Sequence, residues 1–244
     1  MSASARTELS KPWTGRHHRG RDCAHPEAKR LGAPRRGGDV SGTEWTAERV
    51  LAELTPGMRM RNLFDTAKAA TWIAPDELET LFAEPSYEAR MAAFCILDFQ
   101  ARKRLGDLGL LDTYVRHHDR IDDWGMVDRA APRVIGAALA GGPYDLLHEL
   151  AASPDPYRRR TAMTAPLWFV KYGDHADVEA GIAIAEVLHT DADPLVHKPV
   201  GIYLAYAGDR LPERLTEFLD EHGEAMPRAA YRIAIRKRRT ADDG

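Results

Sequence analysis

The sequence Asp155-Pro156-Tyr157-Arg158-Arg159-Arg160 has the form of a helix start, with a capping aspartate, a proline, a bulky residue and then bases. Aspartate at the cap and proline in the first turn are both favoured at helix N-termini. Similar openings occur at four other places, and their marker residues are Tyr87, Trp124, Leu195 and Arg228. With Tyr157 as the fifth marker, successive markers are 37, 33, 38 and 33 residues apart. Such a period is typical of a solenoid built from helix pairs.

The residues between these openings also have helical spacing. From Thr43 onward, apolar residues repeat at i, i+3 and i+4, as in Leu78, Leu81 and Phe82, and no long alternating β-branched run occurs. The pattern predicts an all-α fold, a HEAT-like helical-repeat solenoid (an α-α superhelix) of about six right-handed helix pairs over residues 43–239. Residues 1–42 and 240–244 are predicted to be tails. Pro166 falls inside a predicted helix, which it is expected to kink.

The first 40 residues differ in charge and composition from the rest of the chain. They carry a formal net charge of +5, which leaves −8 for residues 41–244. Gly, Pro, Arg, His and Ser dominate them, and no apolar periodicity offsets the entropy cost of ordering. We expect a disordered tail, either a dispensable extension or a basic arm that adds non-specific affinity for nucleic acid.

Composition and motifs also argue against several classes of protein. Cys23 and Cys95 are 72 positions apart and Cys95 lies in an apolar run, so no disulfide framework is expected. No apolar stretch approaches the roughly 20 residues that span a bilayer, and the N-terminus lacks a secretory signal. We therefore expect a cytoplasmic protein with no membrane partner, no metal and no cofactor. The pairs His17-His18 and His117-His118 are predicted to lie on solvated faces, because neither has partners at metal-ligand spacing.

A solenoid has a concave surface, which the second helix of each pair is predicted to line. A helix N-terminus offers unpaired N–H groups and a partial positive charge, and both suit phosphate. Several of the predicted N-termini carry Arg or Lys in the first turn. Such an array suits a nucleic-acid backbone, but concave solenoid faces also bind proteins, and the spacing alone leaves both alternatives open.

Trp124 and Asp128 are four residues apart and so share one helix face. The purely structural interpretation is a core tryptophan and an ion pair of Asp128 with Arg129 or Arg133. The functional interpretation is an indole beside a carboxylate at the mouth of a basic groove. That arrangement would suit a cationic group flanked by a sugar, through cation–π attraction and charge stabilisation.

Four segments in this order and spacing resemble the AlkD-like DNA alkylation repair glycosylases over about residues 56–238. They lie at residues 124–128, 157–163, 195–201 and 226–235. The corresponding family patterns are W-D-x-V-D, W-x-R-R-x-A-I, H-K-A-V-G-W-x-L-R-E and M-P-R-x-x-x-R-x-A-I. The resemblance implies a monomeric, monofunctional DNA glycosylase that removes cationic N3- and N7-alkylated purines from double-stranded DNA, without a tight pocket for a flipped base.

The resemblance also implies roles for individual residues. Asp128 would be the catalytic carboxylate that stabilises the cationic sugar, and Trp124 one of two aromatic residues that pack on it. Asp128 then has to face the groove, near the indole and unpaired with any local arginine. The residues expected to bind DNA are Tyr157, Arg158, Arg159, Arg160, Lys198, Arg228 and Arg232.

The sequence departs from the family patterns at two positions of the site. The second aromatic residue falls at Ile202 and an arginine falls at Ala205. Tyr203 or Tyr206 could replace the aromatic residue only with backbone adjustment, since adjacent helical positions point about 100° apart. Three hypotheses follow: an active glycosylase, a non-catalytic DNA-binding relative, and a protein-binding solenoid.

Deletion of residues 1–40 is expected to leave the melting temperature nearly unchanged, because the segment has no core to contribute. Thermal unfolding of the full chain and of the shortened chain, followed by circular dichroism, measures this. A fall of several degrees would show instead that the segment docks on the folded part.

Overall fold

The computed structural model describes residues 45–236, and every regular element in that range is helical. The all-α prediction is therefore confirmed for the described residues, which contain no strand. The predicted tails, and with them Cys23 and the pair His17-His18, lie outside the described residues. Cys95 is fully buried, as its apolar neighbours suggested.

The chain divides into two compact units, the first ending at Ile96 and the second beginning at Leu97. The first unit contains three short helices and the beginning of a longer one. These are α1 (Ala47–Glu53), α2 (Met60–Ala69), α3 (Pro75–Ala83) and α4 (Tyr87–Ala101), of which α4 continues into the second unit.

The first unit is held together by apolar packing and by one polar contact between helices. Leu63, Leu81 and Phe82 are fully buried, and the ring of Phe82 meets that of Phe94 edge-on at 5.0 Å. The carboxylate of Glu77, in the first turn of α3, accepts a hydrogen bond from the backbone N–H of Ala47 at 2.6 Å. This bond satisfies a donor that the start of α1 would otherwise leave unpaired.

The second unit continues the helical pattern to the end of the described residues. Its helices are α5 (Leu108–Arg116), α6 (Trp124–Ala131), α7 (Ala137–Leu139), α8 (Asp145–Ala151), α9 (Pro156–Thr164), α10 (Leu167–Tyr172), α11 (His175–Leu188), α12 (Pro194–Arg210), α13 (Pro212–His222) and α14 (Arg228–Ala234). A turn of 3-10 helix (His118–Arg120) precedes α6, and a π-helical segment (Pro132–Gly136) joins α6 to α7.

The repeat found in the sequence marks the starts of five helices. The markers are the first residue of α4, α6 and α14 and the second residue of α9 and α12. Within the second unit the marked helices pack in chain order, α6 on α9, α9 on α12 and α12 on α14. The packing is consistent with a helical-repeat solenoid, while the HEAT-like form and the right-handed superhelix stay predictions.

Pro166 interrupts its helix, as the sequence predicted. Helix α9 ends at Thr164 and α10 begins at Leu167, with Pro166 between them in a helical backbone conformation. Because proline has no N–H and its ring collides with the preceding turn, the helix breaks here. The interruption ends α9 soon after the arginines at its start.

Gly201 permits the close approach of α12 and α14. A Cβ atom at this position would lie 2.5 Å from the backbone oxygen of Ala230 and 2.9 Å from Cβ of Ile233. Both contacts are shorter than a side chain tolerates, and the first is to backbone, which cannot rotate away. The glycine of the 195–201 segment is therefore required by packing.

Gly201→Ala is expected to lower the free energy of unfolding by about 1–3 kcal/mol, because the added methyl group forces α12 and α14 apart. Urea denaturation followed by circular dichroism measures the change. Gly109→Ala, in the first turn of α5, is the matched control, since its Cβ would meet only the flexible side chain of Asp107. Equal stability of the two variants would contradict the packing argument.

Candidate functional site

The N-termini of α6, α9 and α12 converge on an open pocket in the second unit. It has a volume of about 400 Å³. Its lining residues come from all three helix starts and are Trp124, Arg160, Asp193, Pro194, Leu195 and Lys198. The pocket therefore lies where three of the five repeated openings meet.

Arg160 is the central side chain of this site and is only 4% exposed. Its Nη2 donates to both carboxylate oxygens of Asp128 at 2.8 Å, and its Nε donates to Oδ1 at 3.0 Å. Its Nη1 donates to the backbone oxygen of Leu195. One guanidinium thus connects α9 to α6 and to α12.

Asp128 pairs with neither of the local arginines that the structural interpretation offered, but its carboxylate is bound by Arg160. Arg129, the next residue on α6, and Arg133, in the π-helical segment that follows, form ion pairs with Asp98. The partner of Asp128 comes instead from α9, 32 residues further along the chain. Spacing along one helix cannot reveal a partner that a different helix supplies. The side chain of Asp128 nevertheless remains 35% exposed.

Trp124 is exposed to 50%, so it is not the core residue of the structural interpretation. Two cations lie near its ring: the guanidinium carbon of Arg160 and Nζ of Lys198 are each 5.7 Å from the ring centroid. Both distances are within the range of cation–π attraction. The structure brings together Trp124, Asp128, Arg160 and Lys198 and leaves the indole of Trp124 accessible at the pocket.

The helix N-termini around the pocket already have aspartate caps. The carboxylates of Asp123, Asp155 and Asp193 accept hydrogen bonds from the N–H groups of Gly125, Tyr157 and Leu195. These three N–H groups are therefore already paired, which leaves fewer backbone donors for phosphate at each helix start. Each cap also places a negative charge beside the helix start, so an approaching anion depends on the basic side chains. Asp193 itself lines the pocket, a role that its position before Pro194 signals only as a cap.

Arg159 and Arg158 are used within the protein. The guanidinium of Arg159 donates to both oxygens of Asp191, at 2.6 and 3.1 Å, and to the backbone oxygens of Ser153 and Pro154. The hydrogen bond from Asp191 raises the pKa of Arg159. Arg158 lies 3.9 Å from Asp155 and its side chain is 16% exposed. The structure therefore places neither side chain in the pocket wall.

The remaining residues expected to bind DNA divide into one constrained and three exposed side chains. The hydroxyl of Tyr157 donates to the backbone oxygen of Asp122 at 2.7 Å. Lys198 is exposed at the pocket, and Arg228 and Arg232 are exposed on α14. Since Arg228 and Arg232 are four residues apart, they share one face of α14.

The prediction that His118 lies on a solvated face is wrong. Its side chain is fully buried, and Nε2 shares a hydrogen bond of 2.9 Å with the hydroxyl of Thr161. The Tyr114 hydroxyl lies 3.2 Å from the same oxygen. Burial, and then the charge of Arg158, lower the pKa of His118 to about 3, so the ring is neutral at physiological pH. A histidine pair in the sequence does not indicate which ring the 3-10 turn directs inward.

Tyr203 and Tyr206, the two tyrosines near Ile202, differ in their exposure. Tyr203 is fully buried, and its hydroxyl donates to the backbone oxygen of Val178 at 2.7 Å. It covers Gly181, where a Cβ atom would lie 2.0 Å from that hydroxyl oxygen. Tyr203 therefore cannot reach the pocket without leaving the core. Tyr206 is 47% exposed and, with Ile202, follows Lys198 at helical spacing on α12.

No group of three His, Cys, Asp or Glu side chains in residues 45–236 is arranged to hold a metal ion. No helix in the same range combines the length and apolarity needed to cross a membrane.

Comparison with known proteins gives a family match. The model of a family described as DNA alkylation repair enzyme matches residues 55–237, which is most of the chain and nearly the range of the resemblance. Searches of curated proteins and of solved structures found no match.

Arg159→Gln is expected to lower the free energy of unfolding by about 1–3 kcal/mol, because it leaves Asp191 and two carbonyl oxygens without their donor. Lys198→Gln removes the same charge from an exposed side chain and should change stability by less than about 0.5 kcal/mol. Urea denaturation of both variants provides the comparison. If Arg159→Gln is as stable as Lys198→Gln, the hydrogen bonds of Arg159 do not stabilise the fold.

Proposed function

Because the chain belongs to the DNA alkylation repair enzyme family, we propose that it is a monofunctional DNA glycosylase that releases cationic N3- and N7-alkylated purines. Its substrate would be double-stranded DNA that carries such a base, and it would act as a monomer without metal or cofactor. The proposal is carried by one observation: Arg160 pairs with the partly exposed carboxylate of Asp128 and also lies near the exposed indole of Trp124.

The proposed chemistry needs little more than a fixed negative charge and a packing surface. An alkylated purine with a positive charge is already a good leaving group, so the barrier lies in the cationic character that develops on the deoxyribose. The bond between the sugar carbon and the purine nitrogen breaks, and its electron pair leaves with the base, which departs neutral. A carboxylate near the sugar stabilises the cation, and a water then adds to the sugar carbon and gives up a proton to solvent. Asp128 would supply the charge, and the ring of Trp124 would pack against the sugar.

The ion pair with Arg160 sets a condition on this mechanism. The guanidinium holds the Asp128 carboxylate in a fixed orientation, but its positive charge also offsets the negative charge that the sugar needs. A DNA phosphate at the pocket would compete with Asp128 for the N–H groups of Arg160. Transfer of one of these hydrogen bonds to the phosphate would return negative charge to Asp128 at the moment when substrate is bound.

DNA binding in this proposal depends on exposed bases more than on helix N-termini. Lys198 lines the pocket, and Arg228 and Arg232 are exposed on α14, the helix that packs on α12. Arg158, Arg159, Arg160 and Tyr157 remain proposed contacts, but each would have to leave or share a partner within the protein. Binding should therefore be sensitive to salt and indifferent to sequence.

The second candidate function is DNA binding without catalysis. It is favoured by Ile202, which has no π-face for a sugar, and by Tyr203, whose buried position prevents it from replacing the lost aromatic. Ala205 is nearly buried and offers no phosphate contact. A protein-binding solenoid, the third hypothesis, would show neither base release nor salt-dependent DNA binding.

Asp128→Asn is expected to reduce base release by about 100-fold or more while DNA affinity stays level, because the change removes the charge and keeps the shape. The measurement is single-turnover release of 7-methylguanine from duplex DNA, with affinity measured on the same duplex. Asp119→Asn removes one charge from an exposed residue nearby and should react like the wild type. Equal rates for Asp128→Asn and the wild type would contradict the assigned role.

Ile202→Trp tests the missing wall within the same experiment. It adds an aromatic face on α12 one turn beyond Lys198 and should raise the rate on small cationic lesions. If the wild type binds DNA but neither it nor Ile202→Trp releases base, the non-catalytic DNA-binding function replaces the glycosylase.

A further inference from the structure

A second group of charged side chains lies around Asp98, near the end of α4. Asp98 is fully buried, and three arginines reach its two carboxylate oxygens. Arg133 donates to Oδ1 at 2.6 Å, while Arg102 and Arg129 approach Oδ2 at 3.0 and 3.1 Å. We call these four residues the Asp98 cluster.

The stoichiometry of the Asp98 cluster differs from that of the other interhelical ion pairs in the second unit. Arg159 with Asp191 and Arg160 with Asp128 each match one arginine to one carboxylate, and Arg214 on α13 is shared by Glu179 and Glu186 of α11. A single arginine is therefore sufficient to tie two helices in this fold. The Asp98 cluster has three guanidinium groups for one carboxylate and so has a net charge of about +2.

The surplus charge is accessible to solvent. The side chains of Arg102, Arg129 and Arg133 are exposed to 39, 21 and 35%, whereas Asp98 is not exposed at all. Among the described residues, Arg102 and Arg133 have no other carboxylate partner. An anion that arrives from solvent thus meets the arginines and not the carboxylate.

The arginines are also held in position before any ligand binds. The guanidinium groups of Arg102 and Arg129 lie 5.1 and 4.8 Å from the ring centroid of Phe99, which is 8% exposed. Stacking on an aromatic ring and pairing with a buried carboxylate both restrict the rotamers of a long side chain. Ordered guanidinium groups lose less entropy when they bind an anion, and their planar forks match the oxygens of a phosphate.

The location of the cluster favours an extended ligand. Arg129 follows Trp124 by five residues on α6, which places it roughly 8 Å further along the helix and about 140° around it. The Asp98 cluster and the pocket therefore occupy different sides of α6. A ligand that touches both has to be larger than a single nucleotide, as a DNA duplex is.

We propose that Arg102, Arg129 and Arg133, ordered by Asp98, form a phosphate-binding site that takes a phosphodiester group of the DNA backbone. The site is separate from the pocket at Trp124 and plays no part in the chemistry of base release. It rests on the DNA binding of the proposed function, but not on glycosylase activity.

The test is the double variant Arg102→Gln/Arg133→Gln, compared with the wild type by fluorescence anisotropy on an undamaged duplex. Affinity at low salt should fall about 10-fold, and the slope of log affinity against log salt should decrease by about one unit. The control Arg104→Gln/Lys171→Gln removes two exposed charges outside the Asp98 cluster, one of them only two residues from Arg102, and should retain the wild-type slope. Arg102→Lys/Arg133→Lys keeps the charges and should retain most of the slope, even if the Gln variant folds poorly.

A second arm uses inorganic phosphate, which distinguishes a free anion from a DNA phosphate. Phosphate should raise the melting temperature of the wild type relative to chloride at equal ionic strength, and the Gln variant should lose this effect.

If only this arm responds, the site takes free phosphate and the assignment to DNA is overturned. If neither arm responds, the cluster is only a tie between helices and the proposal fails, although duplex binding by the wild type would still stand. If the wild type binds no duplex at any salt concentration, the proposed function fails, and the phosphate arm alone decides on the site.

Discussion

The guanidinium of Arg160 is the interaction on which the rest of the site depends. Its donors join Asp128 on α6 to the backbone of Leu195 on α12, and its carbon lies beside the indole of Trp124. Removal of this group would leave the partly buried carboxylate of Asp128 without its partner and would remove the side-chain hydrogen bonds from α9 to α6 and α12. A buried charged network that is fully paired is stable, whereas the same network with one member missing is costly. The position of the catalytic candidate is thus inseparable from the packing of α9.

Most of the aspartates and arginines described above in the second unit pair with groups of the protein itself, which limits where DNA could bind. Asp123, Asp155 and Asp193 cap the helix starts and occupy N–H groups that would otherwise suit phosphate. Arg159 satisfies Asp191 and two carbonyl oxygens. The positive charge that remains for a polyanion lies on exposed side chains such as Lys198 and on the surplus around Asp98. Net charge is thus a poor guide here, because most arginines of the fold already have partners.

The lost aromatic wall shows how helix geometry constrains replacement. Ile202 and Tyr203 are adjacent, yet Tyr203 points into the core, where its hydroxyl meets Val178 and its ring fills the space over Gly181. A rotation of about 100° separates the two positions, and the glycine fixes which of them is buried. A tyrosine one position away therefore contributes to stability and not to the site. Tyr206, which is 47% exposed and lies on the same face of α12 as Ile202, is the tyrosine that stays outside the core.

The sequence by itself determined the helical class and the starts of the five marked helices. These features are local, because capping residues, periodic apolar positions and a repeat of 33–38 residues act within one or two helices. Only the tertiary structure decided the partners of the charges: Arg160 for Asp128, Asp191 for Arg159, and three arginines for Asp98. It alone buried His118 and Tyr203. Each of these outcomes depends on which residue of another helix lies opposite. The spacing of residues along one helix carries no information about that.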